Sequence, residues 1–435
     1  MDQLLRDDTG AQRDALTRLP GIDAVRPRLE QWVSHANSSG AGPRVHALLL
    51  GLRRFDAINL ADGAAAGDGA LAEVGARISH YAAGELDGPW LAARGLGGRF
   101  LLATNETCSR ERWQLFAEQL ADAVARPIAV PAGILRLSPR IALLRGVPAE
   151  GVESMLDRLG QALAVAERQQ GRRLIWADGE ATRPGRTAAQ LEADLLVAID
   201  GNEIEIVFQP QFSLPDDHLT GAEALARWNH PRLGRIGAVA LFAIAERADQ
   251  VMPLSRHVAK LALREARGWR QPLRLSLNVT PADLAVGSFA AELAAAIAES
   301  GFAPERLTLE VTEQALLHDV QQAGATLRDL SARGVRVALD DFGAGFCNFR
   351  YLKLLPLDYL KLDRSMVDGI TTDARDLAVL RAIVAMARAL DLEVIAEGIE
   401  SEEQRALIAE EHCAFYQGFL RSQPVAAADF AAMAA

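Results

Sequence analysis

Lysine is nearly missing from this sequence. Of 46 basic residues only Lys260, Lys353 and Lys361 are lysines, and the rest are arginine. Each lysine therefore invites a reason for being there. Cysteine is as scarce. Cys108, Cys347 and Cys413 stand far apart with no C-x-x-C pair, which argues against a disulfide framework and against a zinc site. Positive charge is in deficit overall, 46 Lys+Arg against 57 Asp+Glu, a formal net charge of −11. A basic groove for a DNA or RNA polymer is excluded on that count, and an anionic ligand would need its charge neutralised by something local, a bound metal above all. No uncharged apolar run reaches the roughly 18 residues of a membrane span. The opening MDQLLRDDTGAQRD is polar and acidic, unlike a signal peptide. The chain is expected to be soluble and cytoplasmic.

What is present is a folded composition: 435 residues, 50% hydrophobic and 24% charged. That length predicts two domains. Residues 1–12 read as a short tail and 13–177 as a first unit. Within it an amphipathic helix (Ile22 to about Val33), a polar loop (His35–Pro43) and a strand, VHALLLGL, follow in order. Then come a helix (Gly69–Tyr81), a strand pair around WLAARGLGGRFLLAT, a helix (Glu111–Ala125) and a late strand, LSPRIALLRG. Interleaved strands and helices mean α+β or α/β. A stretch rich in Gly, Pro and charge follows, and 178–189 reads as a linker.

The second unit, 190–435, repeats a pattern. A short β-rich apolar run ends in a polar residue, and a helical stretch such as Phe289–Ser300, Val320–Arg333 or Leu377–Leu390 lies between runs. The runs are EIVFQP (Gln209), TGAEALARW (Glu223), LRLSLNV (Asn278), LTLEVTE (Glu310), RVALDD (Asp340, Asp341), DYLKLD (Lys361), EVIAEG (Glu397) and AFYQGF (Gln417). A β-α repeat of roughly 30 residues requires a parallel sheet. Eight runs predict a closed (β/α)₈ barrel, with an open doubly wound sheet as the alternative.

A parallel strand is buried on both faces, so a carboxylate within it is costly unless paired or metal-bound. In barrels the C-terminal strand ends carry the chemistry. Glu223, Asn278, Glu310, Asp340, Asp341 and Glu397 should then converge on one rim. Five carboxylates and an amide, all oxygen ligands, select a hard ion, Mg²⁺ or Mn²⁺, over zinc. Asp340 and Asp341, pointing different ways at a strand end, could address two ions. Two ions about 3.5–4 Å apart suit in-line attack on a phosphodiester. Lys361 could orient a water or hold a phosphate oxygen. One strand-end acid alone is usually a helix cap or ion-pair partner; six polar ends in succession are harder to explain that way.

The stretches FQPQF, GAEALARWNHP, LNVTPADL, LTLEVTE, ALDDFGAGFCN, LPLDYLKLDRSMV, VIAEGIESEEQ and YQGF resemble the EAL domain, the cyclic-di-GMP phosphodiesterase module, across essentially all of 190–425. The resemblance implies a TIM-like barrel with an antiparallel first strand. It implies metal ligation by Glu223, Asn278, Glu310 and Asp340, with Asp341 serving a second ion. Glu397 and Lys361 would attend the attacking water, Gln209 and Gln417 would line the site, and Arg227 would contact a ligand phosphate. Glu313 would steady the loop after Asp341, a loop that also implies a homodimer through this domain. That loop departs from the family pattern at Phe346, Cys347, Asn348 and Phe349, and Ala238 replaces a usual proline. Cys347 reads as a redox handle or, more plainly, a tolerated thiol.

The first unit, through DALTRLPG and the text around it, resembles a degenerate GGDEF domain, the palm-like α+β diguanylate cyclase module. Its five-residue motif reads Leu96-Gly97-Gly98-Arg99-Phe100. Gly51 stands where the family has a metal-binding aspartate, with Arg53 and Asp56 at two further polar positions. The upstream inhibitory motif is replaced by Asp87-Gly88-Pro89-Trp90. Without acids to hold a cation, cyclase activity should be absent. Asn59 and Asp68 stand where the family recognises guanine, so they either bind GTP or cap a helix and a turn. Together these readings predict hydrolysis of cyclic-di-GMP to the linear dinucleotide pGpG by a two-metal mechanism. The alternatives are a non-catalytic cyclic-di-GMP receptor signalling to a protein partner, and a pure interaction scaffold.

Overall fold

In this computed structural model the described residues are 13–38, 45–53, 55, 58–59, 63–130, 133–147, 150–168, 173–178, 188–214, 216–269, 272–316, 319–343 and 351–434. The chain forms two compact units. One comprises Glu192–Trp228 and Leu241–Ala435; the other comprises the described residues before Glu192 together with Asn229–Ala240. The loop departures at 346–349, Cys347 among them, and Asp56 lie outside the described residues.

The earlier unit is built on a five-stranded sheet. Its strands are β1 (His46–Leu52), β2 (Trp90–Arg94), β3 (Arg99–Thr104), β6 (Pro139–Arg145) and β7 (Leu174–Trp176), ordered β2-β3-β1-β6-β7. A separate hairpin pairs β4 (Ile128–Val130) with β5 (Gly133–Leu135). β1 is apolar after His46 and wholly buried, as a central strand covered on both faces should be. Helices Ala64–Glu85 and Arg110–Ala125 pack on one face around Trp113 and Phe116, while Ile22–Ser38 and Val152–Arg168 cover the other. The sheet is antiparallel except where β7 joins β6 in parallel. The first helix runs to Ser38, past the predicted end near Val33 and into the predicted His35–Pro43 loop.

In the later unit each of the eight predicted runs is a strand: β8 (Ile204–Ser213), β9 (Leu219–His230), β11 (Arg274–Val279), β12 (Leu307–Thr312), β13 (Arg336–Phe342), β14 (Tyr359–Leu362), β15 (Glu393–Ala396) and β16 (Phe415–Tyr416). A short strand, β10 (Gly234–Ile236), falls in the segment grouped with the earlier unit, and β17 (Val425–Ala426) pairs with β8. The order β9-β11-β12-β13-β14-β15-β16-β8 closes on itself through a β8–β9 pairing. Closure excludes the open doubly wound alternative. β8 runs antiparallel to both of its barrel neighbours, and the others run parallel. The reason is local: only a few residues separate β8 from β9, which suits a hairpin and is too short for a parallel crossover.

Short polar signals start the helices. Thr280 and Asp283 form a reciprocal capping box directly after β11, and Ser401 and Gln404 form another after β15. Asp319, Asp363 and Asp373 cap three more. These caps fix the turns at the rim where the strands end. The opposite rim is closed by an aromatic plug. The Arg274 guanidinium lies 3.7 Å from the Phe415 ring centre and donates to Tyr359 Oη at 3.0 Å. No helix among the described residues is long and apolar enough to cross a membrane.

Candidate active site

The barrel brings the strand-end polar groups into register at one rim. Glu223 on β9 faces Gln209 on β8 and Ser276 on β11; Asn278 pairs with Glu310, and Thr312 with Asp340. Lys361 on β14 lies at the centre. Its side chain is 1% exposed, with Nζ 2.7 Å from Glu310 Oε2, 2.7 Å from Glu397 Oε1, 3.1 Å from Asp340 Oδ1 and 3.6 Å from Glu223 Oε2. Asn278 Nδ2 donates to Glu223 Oε1 at 2.7 Å. Gln417 Nε2 donates both to Glu223 Oε2 at 2.9 Å and to Glu397 Oε1 at 2.8 Å.

The neighbouring acids Asp340 and Asp341 reach this site by a backbone device. Alternation alone would send one of them away from the barrel interior. Asp341 instead adopts a left-handed φ of 56°, and the β13–β14 register shifts between Leu339 and Phe342. Asp340 Oδ1 accepts from the Asp341 amide at 2.9 Å, holding the kink. Carboxylate oxygens of Asp340, Asp341 and Glu397 lie within 4.8 Å of one another. A non-glycine residue in this region is strained and marks a site where the surrounding structure enforces the geometry.

Burial and mutual charge set the protonation. Burial would disfavour the Lys361 ammonium, yet the surrounding carboxylates of Asp340, Glu223, Glu310 and Glu397 override it and hold its pKa well above the usual range. Burial raises the Glu310 carboxyl well above the ordinary carboxylate range, and repulsion from Glu223 adds to this against the pull of Lys361. Burial does the same to Glu397. Glu223 is also buried, but Lys361, Gln417 and Asn278 together hold it below the ordinary value.

These residues fit a hard divalent cation. The donors are oxygens alone, which suits Mg²⁺ or Mn²⁺. Glu310 has one oxygen on Lys361 and the other, Oε1, buried with no hydrogen-bond partner. A buried acceptor left that way costs free energy unless a ligand completes it. A single ammonium also leaves the five carboxylates in net negative excess.

Not every expected residue joins the cluster. Gln209 points its amide nitrogen to Ser422 O at 2.7 Å. Arg227 is buried further along β9 and donates to Ala226 O at 3.0 Å. Glu313 opens the 3₁₀ turn Glu313–Leu316 directly after β12, while the loop it was expected to steady lies outside the described residues. Gln211, two residues beyond Gln209, donates to Gln417 Oε1 at 3.0 Å, a contact whose only sequence signal is the Gln-x-Gln spacing on one strand face.

The EAL domain family model matches residues 192–424. The chain belongs to the EAL domain family. Residues 11–173 match the diguanylate cyclase GGDEF domain, so a GGDEF domain precedes the EAL domain. The chain is 31% identical over 420 residues to the cyclic di-GMP phosphodiesterase NbdA of Pseudomonas aeruginosa, covering 95% of this chain and 53% of that protein. It is 30% identical over 424 residues to the bifunctional diguanylate cyclase/cyclic di-GMP phosphodiesterase MucR of the same organism, covering 96% and 61%. The chain thus spans about half to two thirds of the length of the curated relatives it matches. The solved MucR phosphodiesterase in complex with c-di-GMP aligns with a TM-score of 0.52 at 32% identity, covering 55% of this chain and 99% of that one.

The GGDEF domain has a different local chemistry at its lost acids. At Gly51 an added Cβ would come 2.8 Å from Glu167 Oε1 and 3.1 Å from Leu163. Glu167 reaches over the glycine toward Arg99, which pairs with Gly51 across the sheet, and the ion pair closes at 3.7 Å. The altered motif thus supplies an internal ion pair where a metal-binding pair is expected. Gly97 takes φ +62° at the tip of the β2–β3 hairpin, which glycine permits without cost. The capping alternative for Asn59 and Asp68 fails at the helix Ala64–Glu85. Its N-cap is Gly63, with no side-chain cap, and Asp68 is exposed in the second turn. Asn59 Oδ1 lies so close to Gly67 that a Cβ there would collide with it. The described thiols are quiet: burial pushes Cys108 and Cys413 up to about 12, so neither is a thiolate at neutral pH.

Proposed function

We propose that the EAL domain hydrolyses cyclic-di-GMP to linear pGpG, with two Mg²⁺ or Mn²⁺ ions. The observation that carries this reading is the rim built around Lys361, whose ammonium lies within 3.6 Å of Glu223, Glu310, Asp340 and Glu397, with Asn278 bonded to Glu223. The names of the two Pseudomonas relatives and the ligand of the solved MucR domain agree with it. In this reading Glu223, Asn278, Glu310 and Asp340 hold one ion, and Asp341, beside Asp340 and Glu397, serves the second. Such ions, when bound, neutralise a phosphodiester and acidify the attacking water. Glu397 sits at the exposed side of the cluster, and its raised pKa suits it to take a proton from that water. Lys361, ion-paired to Glu310, Asp340 and Glu397, orients the water in this reading and keeps the three acids together. Gln209 and Gln417 line the substrate side, Arg227 meets a ligand phosphate, and Glu313 steadies the loop after Asp341. The test is turnover of cyclic-di-GMP with Mn²⁺ and its loss on chelation. Tight binding without any cleavage would favour the receptor reading instead.

Proton linkage gives a second test. Glu310 and Glu397 are held above the ordinary carboxylate range by burial, so part of the metal-free population carries protons there that a cation must expel. As pH rises through the raised values that competition disappears. Apparent Mn²⁺ affinity is therefore expected to increase with pH, with proton release on binding. Calorimetry in two buffers of different ionisation enthalpy reads both; a pH-independent affinity contradicts the assignment.

The GGDEF domain is regulatory in this reading, with Asn59 and Asp68 offered to the guanine of GTP. Saturating GTP should change KM or kcat of the phosphodiesterase. No cyclic-di-GMP should form from GTP, and Gly51→Asp alone should not create that activity, because Glu167 and Arg99 occupy its surroundings. A homodimer through the EAL domain is part of the same proposal, and light scattering at working concentration checks it.

A further inference from the structure

Gln417 stands between two acids of the rim, and its orientation needs an explanation. An amide has a donor end and an acceptor end of nearly equal shape, so its partners alone decide which way it lies. Both of its NH₂ contacts go to carboxylates, Glu223 Oε2 at 2.9 Å and Glu397 Oε1 at 2.8 Å. Its oxygen then needs a donor, and Gln211 Nε2 supplies one at 3.0 Å. Gln211 is 1% exposed. It lies on β8 opposite Gly221, while Gln209 lies opposite Glu223, so it is one inward-facing step further from the rim. Its side chain bonds Gln417 and, among the described residues, no acid.

A buried glutamine commonly does no more than satisfy a neighbour. Here the neighbour is an amide that, together with Lys361, ties Glu223 to Glu397. Two like charges drawn onto one NH₂ group are held at a spacing set by that group's direction. If the amide turned over, its oxygen would face both carboxylates and repel them. We propose that Gln211 is a positioning residue: by donating to Gln417 Oε1 it fixes the direction of the Gln417 NH₂ group, and through it the spacing of Glu223 and Glu397. This rests on the metal-dependent reading of the rim. Loss of the outer hydrogen-bond partner of a metal-site group typically costs 10–100-fold in metal affinity.

The test uses the full chain, with Mn²⁺ alone as the probe. Gln211→Met keeps length and burial but removes the donor; Gln211→Glu keeps shape and replaces the donor with an acceptor, and serves if the methionine variant does not fold. Calorimetry should show Mn²⁺ bound about 10–100-fold more weakly by either variant. With saturating Mn²⁺ restored, KM for cyclic-di-GMP should stay near that of the unmutated chain. Adding Gln211→Met to Gln417→Met should cost nothing further, because the relay is already cut. Unchanged Mn²⁺ affinity in a folded Gln211 variant overturns the inference while leaving the active-site reading intact. So does a loss that adds in full to that of Gln417→Met. Absence of Mn²⁺ binding by the unmutated chain overturns the active-site reading, and this inference falls with it.

Discussion

Lys361→Met is expected to destabilise the metal-free protein by about 3–5 kcal/mol, the cost of leaving buried charges without their partner. The ammonium is fully buried and lies within ion-pair distance of Glu223, Glu310, Asp340 and Glu397. Methionine fills the same space but leaves four carboxylates facing one another. Some of them would take up protons, and Glu310 is already held far above its ordinary range by burial and by Glu223. The unfolding midpoint should therefore drop sharply in chelator. Mn²⁺ should recover much of it, since a ligand that binds only the folded state stabilises it by mass action. Turnover should not recover, because the group proposed to orient the water is gone. A variant as stable as the parent in chelator would show that Lys361 is not the counter-charge of the rim.

Glu223→Ala should abolish turnover while the fold survives. The side chain is buried but lies at the rim, bonded to Asn278 and Gln417 and beside Lys361. Loss of an outer partner alone costs up to about 100-fold, so loss of the proposed ligand itself should exceed that in kcat. Cyclic-di-GMP should still bind, more weakly. Single-turnover cleavage and equilibrium binding, measured side by side, separate the two effects. Cleavage within a few-fold of the parent would remove Glu223 from the ion site.

The barrel was legible because its signal is periodic. Eight apolar runs ending in polar residues state both the strands and the rim, and all of them form. The acids could be read for the same reason: a carboxylate at the end of a buried strand has few inexpensive explanations. What sequence could not show is how Asp340 and Asp341 both serve one site. Neighbours on a strand point apart, and the left-handed backbone at Asp341 with its register shift is a tertiary device with no local signature. Gln211 was missed because a glutamine on a strand is unremarkable until its partner is known. In the GGDEF domain the loss of acids was plain from the text. The ion pair that replaced them was not, since Glu167 and Arg99 are far apart in sequence and meet only across the missing side chain of Gly51.

The most direct measurement is hydrolysis of cyclic-di-GMP by the purified chain in heavy-oxygen water with Mn²⁺, followed by mass spectrometry of the product. Water attack assisted by Glu397 and Lys361 predicts linear pGpG carrying one heavy oxygen on its terminal phosphate, and none in chelator. Intact cyclic dinucleotide recovered from a folded, Mn²⁺-loaded protein would contradict the account.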